Sequence, residues 1–226
     1  MIGVRFGTSL FAMALVALTV GYGLNARGGH AEQETSAPAE VRSLRVSDGE
    51  PSSDEGPRGM SHPQFWDLIA DTRGQAGNDT GRQSELLEER LSKLPPEQIV
   101  SFARLRRRLD ERAYTWDIWG AAYVIEDGCS EDCFRDFRAY LISLGRGPYE
   151  AALHNPDSLA PIVQDAEQGD WENADDVAPD AYGTATSDDY PLDDSDLSGS
   201  PRGESWDDES QEALVQRYPA LAARFR

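Results

Sequence analysis

The sequence predicts an all-α protein: one compact multi-helix domain between disordered or extended flanks. Three observations carry this expectation. Apolar residues between positions 65 and 163 recur at three- and four-residue steps, the spacing that puts them on one face of a helix. No span alternates apolar and polar residues as a half-buried strand would. The periodic runs are separated by glycine and proline, at Gly74 to Gly81, Pro95-Pro96, Gly128 and Gly145 to Pro148, which punctuate helices.

Taken in order, the folded region opens at Met60-Ser61-His62-Pro63-Gln64. Ser61 with Gln64 reads as a capping box, and Pro63 suits a first turn. The first helix then turns Trp66, Ile69 and Ala70 inward. The glycines at 74, 77 and 81 are a loop and not a phosphate cradle, since no strand precedes them and no Lys-Ser/Thr follows. A second helix spans about 82–94 with Leu86, Leu87, Leu91 and Leu94 as its stripe. Pro95-Pro96 ends it and starts a third, whose inward positions are Ile99, Phe102, Leu105 and Leu109.

Positions 114–123 read Tyr-Thr-Trp-Asp-Ile-Trp-Gly-Ala-Ala-Tyr. Trp116, Trp119 and Tyr123, with Ile118, Ala122 and Ile125, cover most of a helix's circumference, so this helix is expected to be central and largely buried. Gly128 suits the left-handed residue that closes it. Ser130 suits the N-cap of the next helix, with Glu131 and Asp132 in its first turn, where the helix dipole favours carboxylates. Phe134, Phe137, Leu141 and Leu144 then share one face. Shorter pieces follow: a helix at 149–153, a cap at Asn155 to Ser158, and a turn carrying Leu159, Ile162 and Val163. A further helix around 171–182 is expected to be interrupted by Pro179.

These blocks, with Gly-Cys-Ser at 128–130, Asp-Phe-Arg at 136–138, Tyr149-Glu150 and Pro156 to Leu159, resemble the DUF4240 family of bacterial domains, from about Phe65-Trp66 to residue 182. The resemblance implies a compact helical intracellular domain. It brings no catalytic residues, since the family has no assigned activity.

The chain of 226 residues carries 41 acidic against 21 basic side chains, a net charge of -20, which argues against nucleic acid as a partner because phosphates demand a basic face. The one basic cluster, Arg104, Arg106, Arg107, Arg108 and Arg112, is expected to be a solvated face paired with nearby carboxylates. Cys129 and Cys133 are expected to be reduced thiols; a metal would need two more ligands, and His30, His62 and His154 are not spaced to provide them. His154 reads as a surface residue. No cofactor is expected.

Five segments result. Residues 1–25 hold an apolar stretch of bilayer length, read as a membrane anchor, a signal peptide cleaved near Gly29 to Ala31, or a mis-assigned start with translation beginning at Met60. Residues 26–59 read as disordered linker, 60–183 as the helical domain, 184–208 as a disordered acidic linker and 209–226 as a short amphipathic helix broken at Pro219. Asp193, Asp194 and Asp196 lack the glycine and glutamate of a calcium loop. The expected location is cytoplasmic, with membrane contact only through residues 1–25; the alternative is secretion.

With no nucleophile–base pair or metal set in view, the expected function is a non-catalytic binding or regulatory module for an unknown protein or small ligand. The alternative is an enzyme with an aspartate-based site on the tryptophan helix. The candidate residues are Trp116, Asp117, Trp119, Asp132, Asp136 and Arg138: an aspartate beside indoles would have a raised pKa and act as a base. The bland counterpart is that Asp117 and Arg138 form a structural ion pair or cap a helix.

Overall fold

A computed structural model describes residues 59–164, 170–193, 199–206 and 211–226. Their helices are α1 (His62–Ala76), α2 (Thr80–Leu91), α3 (Pro96–Ala113), α4 (Trp116–Ile125), α5 (Glu131–Ser143), α6 (Arg146–His154), α7 (Val177–Thr186), α8 (Gln211–Arg217) and α9 (Pro219–Phe225). Two 3-10 turns, Pro156–Leu159 and Glu172–Ala174, join them. Among the described residues there is no strand, only an isolated bridge between Thr115 and Arg202. The expected apolar segment 1–25, and the 26–59 linker except Gly59, lie outside the described residues. Among those described, no helix is long and apolar enough to cross a membrane.

The helix starts follow the sequence signals. Ser61 accepts from the Gln64 amide while the Gln64 side chain accepts from the Ser61 amide, closing the capping box. Asp79, Thr115 and Ser130 cap α2, α4 and α5 through their side chains. The end of α4 differs from expectation. Asp127 takes the left-handed conformation (φ 52°) and Gly128 follows at φ 123°, with the Gly128 N–H donating to the Tyr123 carbonyl at 3.0 Å. That six-to-one bond makes a Schellman ending in which Asp127, not Gly128, is the left-handed residue. Pro179 does not interrupt a helix either: α7 begins at Val177, so the proline sits in the first turn, where its missing N–H costs nothing.

The core is continuous. On α4, Ile118, Ala121, Ala122, Val124 and Ile125 are buried, and α5 is buried from Phe137 through Ser143. Burying such residues from water is the main stabilising term, about 1.5–3 kcal/mol for each large apolar side chain. Helices α1, α2, α3 and α6 pack around this pair, and α7 lies across α2 and α3. Trp171 is 2% exposed, and its indole N–H donates to Ser84 Oγ on α2 at 2.6 Å.

Two expectations about the rest of the chain change. Cys129 and Cys133 are joined as a disulfide, not left as thiols; one lies just before the Ser130 cap and the other in the first turn, which brings their Cα atoms to 5.3 Å, within bridging range. The acidic segment 184–208 is not all linker: α7 runs to Thr186, and residues 199–206 lie against the domain. Arg202 exchanges backbone hydrogen bonds with Tyr114 and Trp116 at 3.1 and 2.9 Å, and its guanidinium donates to the Arg112 carbonyl at 2.6 Å.

Candidate functional site

Helix α3 has a narrow apolar stripe, and the residues flanking that stripe decide what faces its neighbours. Asp110 follows Leu109 one helical turn beyond Arg106, at the boundary of the buried face. Helix α5 brings Arg138 opposite, one turn past Phe134. The Arg138 side chain is only 6% exposed, that of Asp110 16%, and Arg138 Nη1 stands 3.3 Å from Asp110 Oδ2. Its Nε donates to the Phe134 carbonyl at 3.3 Å, and its guanidinium carbon sits 4.7 Å from the Tyr114 ring centroid and 4.9 Å from that of Phe134. Cation–π stacking fixes a planar guanidinium in a way an ammonium could not match.

The pair is incompletely satisfied. Asp110 Oδ1 and Arg138 Nη1 are both buried without a hydrogen-bond partner. Burial pushes the Asp110 carboxyl above the ordinary aspartate range, against the opposing charges of Arg138 and Arg106. Burial likewise lowers Arg138 from its usual value, with Asp110 pulling it back. Both groups thus carry a desolvation cost that their mutual attraction does not cancel.

They border a cleft of about 420 Å³ between α3, α5, the 171–178 stretch and residues 190–193. Five arginines (Arg104, Arg106, Arg107, Arg135 and Arg138) and four aspartates (Asp110, Asp136, Asp175 and Asp193) line it, with Trp171, Tyr190 and Leu192 among its apolar surfaces. Many of the charges are already paired: Arg106 with Asp175, Arg107 with Glu111 at 3.4 Å, and Arg135 with Asp136 at 3.4 Å and Asp132 at 3.5 Å. Three arginines of the α3 cluster are therefore paired as the sequence suggests, Arg106 and Arg107 as above and Arg112 gripping both oxygens of Glu150 at 2.8 and 2.9 Å. Asp136 is half-buried, and burial raises its pKa while Arg135 opposes.

Of the sequence candidates, Asp136 and Arg138 line this cleft. Asp132 is exposed beside it. The others belong to a different surface. Trp116 and Trp119 are half-buried and stack in parallel at 5.2 Å; Trp119 also stacks on Phe134 at 4.8 Å and donates from its indole to the Cys129 carbonyl at 2.9 Å. Asp117 is exposed and ion-paired with Arg217, not with Arg138. It borders a shallower depression of about 370 Å³ with Arg112, Glu150, His154 and Arg202. Asp117 is thus an exposed, ion-paired carboxylate at the rim of that depression and not one enclosed among the indoles. Asp110 is absent from the sequence candidates; its one signal is that it is the first carboxylate after Glu97, thirteen residues later on a helix full of arginine. Among the described residues no group of three or more His, Cys, Asp or Glu side chains is placed to hold a metal ion.

The model of a protein family of unknown function, DUF4240, matches residues 60–184, more than half of the chain. The chain belongs to the DUF4240 family. The match spans α1 to α6 and all but the last two residues of α7 and so includes most of the cleft, whereas Tyr190, Leu192, Asp193 and the segment carrying α8 and α9 lie beyond it. No curated protein and no solved structure matches this chain.

Proposed function

We propose that this DUF4240 domain is a non-catalytic binding module and that the α3–α5 cleft takes a small polar ligand. The observation that supports the reading is the buried Asp110 Oδ1, which has no hydrogen-bond partner, beside Arg138 Nη1, which ion-pairs with the other carboxylate oxygen at 3.3 Å but makes no hydrogen bond, at the margin of that cleft. Leaving such atoms unsatisfied costs about 1–3 kcal/mol each. A ligand group that both donates and accepts, such as a primary amide, a hydroxyl or a carboxylic acid, would offset both. Five guanidinium groups set against four carboxylates favour an uncharged polar or zwitterionic molecule over a polyanion, because a polyanion would lie against the aspartates.

Thermal unfolding of the full chain with a panel of amino acids and primary amides tests this, together with native mass spectrometry of the protein as purified. The expected result is a rise in melting temperature with at least one of them that Asp110→Asn abolishes. No shift with any of the panel, and a native mass of the bare chain alone, would overturn it.

The disulfide bears on location. Such bridges persist in oxidising compartments, so it supports the secreted alternative over a cytoplasmic one. Thiol alkylation of protein trapped directly from cells checks this: unlabelled cysteines support export, labelled cysteines support the cytoplasm.

A further inference from the structure

Residues 211–226 pack against the side of α4 that carries Asp117 and Gly120 and against the Pro156–Leu159 turn, and the way they are held there resembles the recognition of a peptide. Leu214, Tyr218 and Leu221 are buried, while the side chains around them reach named partners on the domain. Arg217 pairs with Asp117. The Tyr218 hydroxyl donates to the Asp117 carbonyl at 2.8 Å, and its ring lies over Gly120, where a Cβ would come within 2.6 Å of the phenol oxygen. The Asp157 carboxylate accepts from the amides of Ala220 and Leu221 at 3.0 and 2.8 Å. Arg224 donates to the Ala160 carbonyl at 2.8 Å.

We propose that α4 and the Pro156–Leu159 turn form a peptide-docking groove and that residues 211–226 are its ligand, held in cis. This does not rest on the cleft reading. The docked segment is two seven-residue helices divided by Pro219, each too short to be stable alone, so the groove must supply their order. Helix-in-groove recognition reads an amphipathic segment through a few anchors, and here the anchors spell an order: an arginine for Asp117, a tyrosine for the notch left by Gly120, a proline where α9 needs no donor, and a leucine two residues on for the apolar floor. The groove selects a peptide with Arg-Tyr-Pro-x-Leu in that order. The notch is the most discriminating feature, because any side chain at position 120 fills it.

The test uses the full chain with Leu221→Asp, which drives the segment out without altering the groove, and a labelled peptide of sequence 211–226 followed by fluorescence anisotropy. The expected result is saturable binding to this variant, at least tenfold weaker binding to the wild-type chain, whose groove is filled, and at least tenfold weaker binding of a peptide carrying Tyr218→Ala. Adding Gly120→Ala to the variant closes the notch and abolishes binding. Circular dichroism accompanies each measurement. A Leu221→Asp chain that stays helical yet binds no peptide overturns the proposal; so does one that unfolds as a whole, which would make 211–226 part of the core.

Discussion

The two faces of the α4–α5 pair are built from neighbouring residues and reach opposite outcomes. On one, Trp116, Trp119 and Trp206 meet edge and face within 6.0 Å, Trp206 closing over the other two. On the other, Arg138 and Asp110 border a cleft of about 420 Å³. Phe134 belongs to both, with Trp119 stacked on it at 4.8 Å and Arg138 lying over it at 4.9 Å. The contrast teaches that aromatic density marks where this chain packs, while a buried ion pair keeps a charged cleft open; an unsatisfied atom alone does not separate the two faces, since Trp206 Nε1 on the aromatic one is also without a hydrogen-bond partner. Apolar surface is satisfied by any covering, and the chain covers its own; a buried guanidinium is satisfied only by an acceptor of the right geometry.

The comparison is broken most severely on the aromatic side. Trp119→Ala removes the ring between Trp116 and Phe134 and is expected to cost about 3–5 kcal/mol, measured by chemical denaturation. On the charged side, Arg138→Met keeps apolar contact with Tyr114 and Phe134 but removes the cation and strands Asp110, at a cost of about 3 kcal/mol near neutral pH. Asp110 is already raised by burial, and losing Arg138 raises it further. A carboxyl whose folded pKa lies above its unfolded one stabilises fully below the unfolded value and loses that contribution as pH rises through the folded value. The Arg138→Met deficit is therefore expected to shrink on acidification, whereas that of Trp119→Ala stays flat; equal pH profiles would contradict the contrast.

Smaller effects sharpen it. Replacing Cys129 and Cys133 by serine opens a very short loop, so about 2 kcal/mol or less is expected, read from the denaturation midpoint with and without reductant. Finest of all is the ionisation of Tyr218, whose pKa burial pushes up to about 12. The neutral phenol is the form that docks, so attachment of 211–226 is complete below the ordinary tyrosine value near 10 and weakens as pH rises towards 12. Hydrogen exchange reports it as protection lost in α8 and α9 beyond the loss elsewhere, where base catalysis and the buried Tyr149, also raised by burial, act over the same pH range.

Much of this architecture was legible in the residues. Ser61-x-x-Gln64, Ser130 and Pro95-Pro96 placed helix starts because each acts through its own backbone neighbourhood. The DUF4240 blocks located the domain. Partner choice was less legible, because it depends on how helices far apart in sequence meet. Asp117 and Arg138 are twenty-one residues apart and invite pairing, yet Arg138 Nη1 meets Asp110 from α3 while Asp117 meets Arg217, one hundred residues away. Arg202 and Trp206 carried no periodicity, standing in an acidic stretch that composition alone reads as solvated. The cysteines were misjudged for a local reason: a loop and the first turn of α5 bring them together, which a count of metal ligands does not register.

The hydrogen bond from Trp119 to the Cys129 carbonyl gives the molecule an internal gauge. An indole bonded to the backbone of a bridged cysteine senses a shift in the loop that carries it, so the emission of the Trp116, Trp119 and Trp206 cluster is expected to follow the supply of electrons around the protein without an added dye.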